Sequence, residues 1–184
     1  MKKNEQNKLI RSYAEALFDA SEKAGKTENV LSEAESLFAA LSEKPEIARY
    51  LSSPIWDNRS KKEALEKIAG DRNLSEPLRG LFRVMADNGR VGLLTEVLPE
   101  FKQVYYLKKH ISQVLVKTAV GLTESQKNNL SAAMEKYTGN KVVVKYQIIP
   151  ELLGGLLVEC GSELIDDSVK GKLDRLELLM KGTI

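Results

Sequence analysis

Four places in this 184-residue chain carry groups able to do chemistry. Gly154-Gly155 is a glycine pair of the kind that cradles phosphate. A phosphate loop places a strand before the glycines and a helix N-terminus after them, with N–H groups aimed at the anion. Here an apolar, strand-like run, Leu156 to Cys160, follows the glycines, so the order is reversed and the pair reads as a tight turn. Asp166-Asp167 is the one adjacent acid pair, and two carboxylates suit a hard divalent cation. Neighbours in a strand or turn point to different sides, however, and no third ligand lies near in sequence. Asp167 or Ser168 reads instead as the N-cap of the helix that follows. His110, the single histidine, ends the run Lys108-Lys109-His110, where a cation suits a helix C-terminus. A general base would need an orienting acid and a nucleophile, and neither is identifiable. Cys160, the single cysteine, sits in an apolar run with no neighbouring histidine, as a structural thiol does. A small metal- or phosphate-dependent enzyme built on Asp166, Asp167 and the glycines is the reading these residues would support. The expectation preferred here is no catalytic site, no cofactor and no metal.

The elements that would hold these residues change character along the chain. In the first hundred residues apolar positions recur at helical spacing. Ile10, Tyr13, Ala14, Leu17 and Ala20 form one stripe, closed by Gly25 as a C-cap. Val30, Leu31, Ala34, Leu37, Phe38 and Leu41 form a second. Pro45 and Pro54 leave room for a short helix over 46–51. Ser60 and Glu63 have capping-box spacing ahead of Ala64, Leu65 and Ile68, with Gly70 as a stop. Ser75 caps a fifth helix carrying Leu78, Leu81, Phe82 and Met85, broken by Asn88-Gly89. A sixth carries Leu94, Val97, Leu98, Phe101, Val104 and Tyr105, with Pro99 expected to kink it or start its second half.

Near His110 the period drops to two. Val114, Val116, Thr118 and Val120 alternate as a strand. Thr123 and Gln126 then cap a helix that Gly139 ends. Val142, Val144, Tyr146 and Ile148 alternate again. A third strand is expected over 155–160 and a short fourth over 163–166. A last helix runs from about Val169 to Met180, with Val169, Leu173, Leu176 and Met180 on one stripe. The expected fold is mainly α: a six-helix bundle over residues 1–110, then a small α/β domain over 111–184.

Composition fits an ordinary globular protein, 42% hydrophobic and 29% charged, with a net charge of +2. Residues 1–110 hold 19 basic and 17 acidic side chains, and the rest hold 9 of each. Neither half is a basic slab, so nucleic acid is not an expected partner; an unrelated helical adaptor or nucleic-acid-binding protein is the alternative reading. No apolar run reaches the roughly 20 residues that span a bilayer. The start, MKKNEQNKLIRSYAEALF, lacks the continuous apolar core of a secretory signal. One thiol suits a reducing compartment. The expectation is a soluble, cytoplasmic protein that meets the membrane only through partners. Trp56, Tyr105 and Tyr106 are candidates for either an interface or a core.

Three motifs stand in order: Arg11 to Phe18 (RSYAEALF), Phe82 to Val91 (FRVMADNGRV), and the segment from Gly154-Gly155 through Ile165-Asp166-Asp167-Ser168-Val169-Lys170-Gly171-Lys172-Leu173. Together they resemble the delta subunit of bacterial F-type ATP synthases, counterpart of the mitochondrial oligomycin-sensitivity-conferring protein. Asp167 stands where the family usually has glycine, and must accept that glycine's backbone angle. Lys170 and Lys172 stand in the place of arginines, which keeps the charge and loses the bidentate fork. The resemblance implies a non-catalytic stator subunit on the cytoplasmic face of the membrane. Its N-terminal bundle would bind the N-terminal helix of an alpha subunit in a groove formed chiefly by the first and fifth helices. Its C-terminal domain would bind the b-type stalk subunits. Tyr13, Ala14, Leu17, Leu78, Phe82 and Met85 are the candidate partner-binding residues. Gly154, Gly155, Asp166, Ser168 and Gly171 are the candidate structural motif.

Overall fold

Apolar residues recurring every three to four positions fold into helices as soon as one face can be buried. The computed structural model describes residues 3–53 and 56–182. Six α-helices come first: α1 (Lys3–Lys23), α2 (Thr27–Glu43), α3 (Pro45–Ser52), α4 (Asn58–Asp71), α5 (Glu76–Asp87) and, after a 3-10 turn, α6 (Leu94–Lys108). The order continues β1 (Ile111–Thr118), α7 (Glu124–Thr138), β2 (Lys141–Ile148), a 3-10 turn, β3 (Leu156–Cys160), β4 (Glu163–Asp166) and α8 (Val169–Met180). Two compact units result, over residues 1–105 and 106–184, so the division falls in the last turn of α6.

The helical unit closes on Leu17, Phe18, Leu65, Leu78, Met85, Leu98 and Phe101, each 2% exposed or less. Phe18 and Tyr105 pack with ring centroids 6.4 Å apart. Phe38, expected on an inward stripe, is 39% exposed. Pro99 lies one turn into α6 on its solvent side, and the helix continues unbroken to Lys108.

Local signals set most helix ends. Gly25 takes φ +65° and ends α1, with Lys26 N–H donating to the Ser21 carbonyl at 3.0 Å. Thr123 and Gln126 cap α7 reciprocally, and Gly139 ends it at φ +68°. At α4 the expected Ser60/Glu63 box is replaced. Asp57 is the N-cap and accepts from Ser60 N–H at 3.2 Å, while Glu63 pairs with Arg59 at 3.3 Å. The carboxylate that begins the turn takes the N–H three residues on, so Ser60 sits inside the helix. Gly70 does not stop α4 either. The turn falls at Asn73, φ +50°, where Leu74 N–H donates to the Ala69 carbonyl at 3.0 Å.

Ser75 occupies the N-cap of α5 but uses its hydroxyl elsewhere. Both its N–H and its hydroxyl donate to the Glu33 carboxylate of α2, at 2.9 and 2.7 Å. Arg79 donates to the carbonyls of Leu74 and Ala69 at the end of α4. These bonds anchor the first turn of α5 to α2 and α4.

The second unit is a four-stranded sheet in the order β2-β1-β3-β4. β1 and β2 are parallel, from Ile111↔Lys141 to Thr118↔Ile148, and α7 is the crossover. β3 runs antiparallel to both β1 and β4. Val114, Val116, Val158 and Met134 form its core.

Glycine substitutions test this reading of the turns. Gly70→Ala, at a helical position with nothing within 4 Å of an added Cβ, is expected to be neutral or to stabilise by up to about 1 kcal/mol. Gly25→Ala meets no atoms either, but at φ +65° it should destabilise by about 1–2 kcal/mol. Urea unfolding of the two variants checks the pair.

Candidate functional site: an apolar groove on two helices and an exposed terminal helix

α1 and α5 each carry two apolar stripes rather than one. On α5, Leu78, Leu81, Phe82 and Met85 turn inward and are buried. Pro77, Gly80 and Val84 lie on the adjoining face, with Val84 50% exposed. On α1, Ala14, Leu17 and Phe18 are buried, while Tyr13, Ala16, Ala20 and Ala24 face outward beside them. The two outer stripes enclose an open groove of about 570 Å³. Its charged positions are Lys23 and Glu76, and Glu76 already pairs with Arg83 at 3.0 Å. The lining holds no serine, cysteine or histidine. What it can do is bury apolar side chains, and its alanines and glycine let another backbone approach closely.

Of the candidate residues, Tyr13 and Leu17 line this groove. Ala14, Leu78, Phe82 and Met85 do not; each is at most 2% exposed in the core of the helical unit. Their size and spacing serve packing between helices, which takes the bulkiest stripe first. The groove residues that sequence reasoning missed are Ala16, Ala20, Ala24, Pro77, Gly80 and Val84. Their signal was present as a second i, i+3, i+4, i+7 pattern, but in small residues. A second concavity of similar size, about 550 Å³, lies between α1 and α6. Asn7, Lys8, Arg11, Glu96 and Glu100 line it, with Arg11 held by Glu15 at 3.0 Å, so it offers charges rather than apolar anchors.

In the second unit the structure brings Gly154, Gly155, Asp166, Ser168 and Gly171 together. The Gly154 carbonyl accepts from Val169 N–H at 3.0 Å. Asp166 Oδ1 accepts from the Ser168 N–H at 2.9 Å and its hydroxyl at 2.6 Å. Ser168 Oγ in turn accepts from Gly171 N–H at 3.0 Å, which makes Ser168, 1% exposed, the N-cap of α8. A Cβ on Gly155 would lie 2.3 Å from the Asp167 carbonyl oxygen, and one on Gly171 would lie 2.3 Å from Asp166 Oδ2. The glycines are there for close approach. Asp167 points away and pairs with Lys172 at 2.7 Å. It is not among the residues with positive φ, so a side chain at this position carries no backbone strain. Among the described residues, no three His, Cys, Asp or Glu side chains are grouped to hold a metal ion.

This clasp fixes the start of α8, yet no residue of α8 is buried. Val169, Leu173, Leu176 and Met180, one stripe, are 41%, 52%, 55% and 88% exposed. A 12-residue helix is marginal in water without packing.

The chain matches a protein-family profile described as ATP synthase delta (OSCP) subunit over residues 9–180. The chain belongs to this family. It is 32% identical over 174 residues to an ATP synthase subunit delta of Rhodospirillum rubrum, covering 95% of this chain and 94% of that protein. It is 30% identical over 175 residues to one of Prochlorococcus marinus strain AS9601, covering 95% and 97%. A chain in the cryo-EM structure of the Toxoplasma gondii mitochondrial ATP synthase hexamer shares its fold, with a TM-score of 0.72 at 21% identity over 96% of this chain and 99% of that one. The delta (OSCP) subunit is a non-catalytic structural component of ATP synthase. Among the described residues, no helix is long and apolar enough to cross a membrane.

The clasp has a pH signature. The Ser168 hydroxyl, then its N–H, hold the Asp166 carboxyl below the usual carboxylate range against the opposing effect of burial, with Arg175 and Lys172 adding lesser attraction. A depressed carboxyl stabilises fully above its unfolded pKa of about 3.9 and loses that effect as pH falls through its folded value. Asp166→Asn should therefore lower the melting midpoint at pH 5. The gap to the unsubstituted chain should narrow as pH falls toward about 2, as thermal melts across that range would show.

Proposed function

We propose that this protein is a stator coupler that joins the catalytic head of a bacterial ATP synthase to its peripheral stalk. The α1–α5 groove receives the amphipathic N-terminal helix of an alpha subunit. The exposed stripe of α8 receives the b-type stalk subunits. The complex would sit at the cytoplasmic face of the membrane and hold the head still while the rotor turns.

The observation that carries this reading is the groove itself: two helices with apolar faces left over after their core is full, and no serine, cysteine or histidine between them. Helix-in-groove recognition needs apolar anchors at helical spacing on both sides. Tyr13 and Val84 supply them here, over a floor that the buried Leu17 and Leu81 form. The clasp and α8 play the matching part in the other unit. Two moderate contacts on one chain resist dissociation better than either alone, because each holds its partner at high effective concentration for the other.

The groove is testable without unfolding the protein. Gly80→Leu replaces a poor helix former by a good one, at a position where an added Cβ meets nothing within 4 Å, yet its side chain fills the groove. Stability should hold or rise, while affinity for a synthetic alpha-subunit N-terminal peptide falls at least tenfold by calorimetry. No binding of the unsubstituted chain at micromolar concentration would sink the reading.

The stalk surface is tested by Leu173→Asp with Leu176→Asp. These exposed positions should leave peptide binding and folding intact while co-purification with the b-type subunits is lost. Retained co-purification would remove α8 from that contact.

A further inference from the structure

We infer that Arg90 is a positioning residue for the groove: it holds Tyr13 as one end wall, so that the docked helix meets a ring already in place. This rests on the helix-docking reading above. The first and second sequence motifs, RSYAEALF and FRVMADNGRV, meet at one contact, in which Arg90 Nη1 donates to the Tyr13 hydroxyl oxygen at 3.2 Å across 77 positions of chain.

The backbone around Arg90 is fixed on both sides. Gly89, at φ +66°, lets the end of α5 turn back, with Gly89 N–H donating to the Ala86 carbonyl at 3.0 Å and Arg90 N–H to the Met85 carbonyl at 2.8 Å. A Cβ on Gly89 would come within 3.1 Å of the Asn58 side-chain amide. Val91, the next residue, is 2% exposed and opens the 3-10 turn before α6. Among the described residues no carboxylate pairs with Arg90. Its exposed guanidinium reaches from this turn to a neutral phenol on α1.

Tyr13 is only half-buried, on the groove-facing side of α1 with Ala16 and Leu17 one turn on. A tyrosine free to change rotamer would lose that freedom when a helix docked, which weakens binding; a ring already fixed avoids the loss. The hydroxyl, not the ring, is what Arg90 holds. Removing either end of the contact should therefore have the same effect.

The test is a double-mutant cycle read by calorimetry on the full chain, with a synthetic peptide of an alpha-subunit N-terminus as the probe. Arg90→Ala and Tyr13→Phe should each raise Kd about three- to tenfold. The double variant should be no weaker than the worse single, and Arg90→Lys should recover part of the loss. Tyr13→Phe keeps the ring and its packing, so it remains informative even where Arg90→Ala lowers the melting midpoint. Additive losses, or an unchanged Kd in Tyr13→Phe, overturn the inference while the groove reading stands. Absence of binding by the unsubstituted chain overturns both, and that result separates the two failures.

Discussion

An amphipathic helix buries one stripe in its own domain; apolar surface beyond that stripe stays wet until something else covers it. Both units of this protein are organised around that surplus. In the helical unit the core is filled by Leu17, Phe18, Leu78, Met85 and Phe101. What remains on α1 and α5 is a second, shallower stripe of alanines, a glycine, a proline and a valine. In the second unit the sheet core closes on α7, and α8 is left with its leucines in solvent. In the function proposed above, these exposed apolar stripes are the docking surfaces.

The surrounding polar contacts give those surfaces fixed positions. Glu33 anchors the N-terminus of α5 through Ser75, and Arg79 ties the same turn to the end of α4. The Asp166–Ser168–Gly171 chain does the same for α8 in the second unit. The Glu33 and Ser168 contacts each put a carboxylate or hydroxyl acceptor at a helix N-terminus, where the positive end of the helix dipole favours it. The helices that present surface are thus held at their ends and left bare along one side. That division suits a protein whose output is adhesion. Asp166 is occupied in capping, Asp167 pairs with Lys172, and Cys160 packs against the sheet core.

Local chemistry was legible in the chain alone. The change of hydrophobic period near His110, the Thr123–Gln126 cap, the glycine turns at 25, 89 and 139, and the choice of Asp167 or Ser168 as the cap of α8 all depend on residues a few positions apart. Errors arose where two local solutions competed or where a distant residue intervened. Asp57 and Ser60 both had cap chemistry, and the earlier one began the helix. Ser75 was read as an ordinary cap, but its hydroxyl went to Glu33, 42 positions away. Family membership was legible too, because three weak motifs in register carry joint information that none holds singly.

The sequence by itself determined the elements, their order, the mainly α character and the family, since these follow from periodicity, caps and motifs along one dimension. Only the tertiary structure decided which stripe of each helix is core and which is groove. Large residues at helical spacing look alike from the chain. Ala14, Leu78, Phe82 and Met85 went inward, and Ala16, Ala20, Gly80 and Val84 formed the opening, because burial depends on which neighbour a face meets. The meeting of Arg90 with Tyr13 belongs to the same class: a hydrogen bond between the turn after α5 and α1 exists only once packing has brought them together.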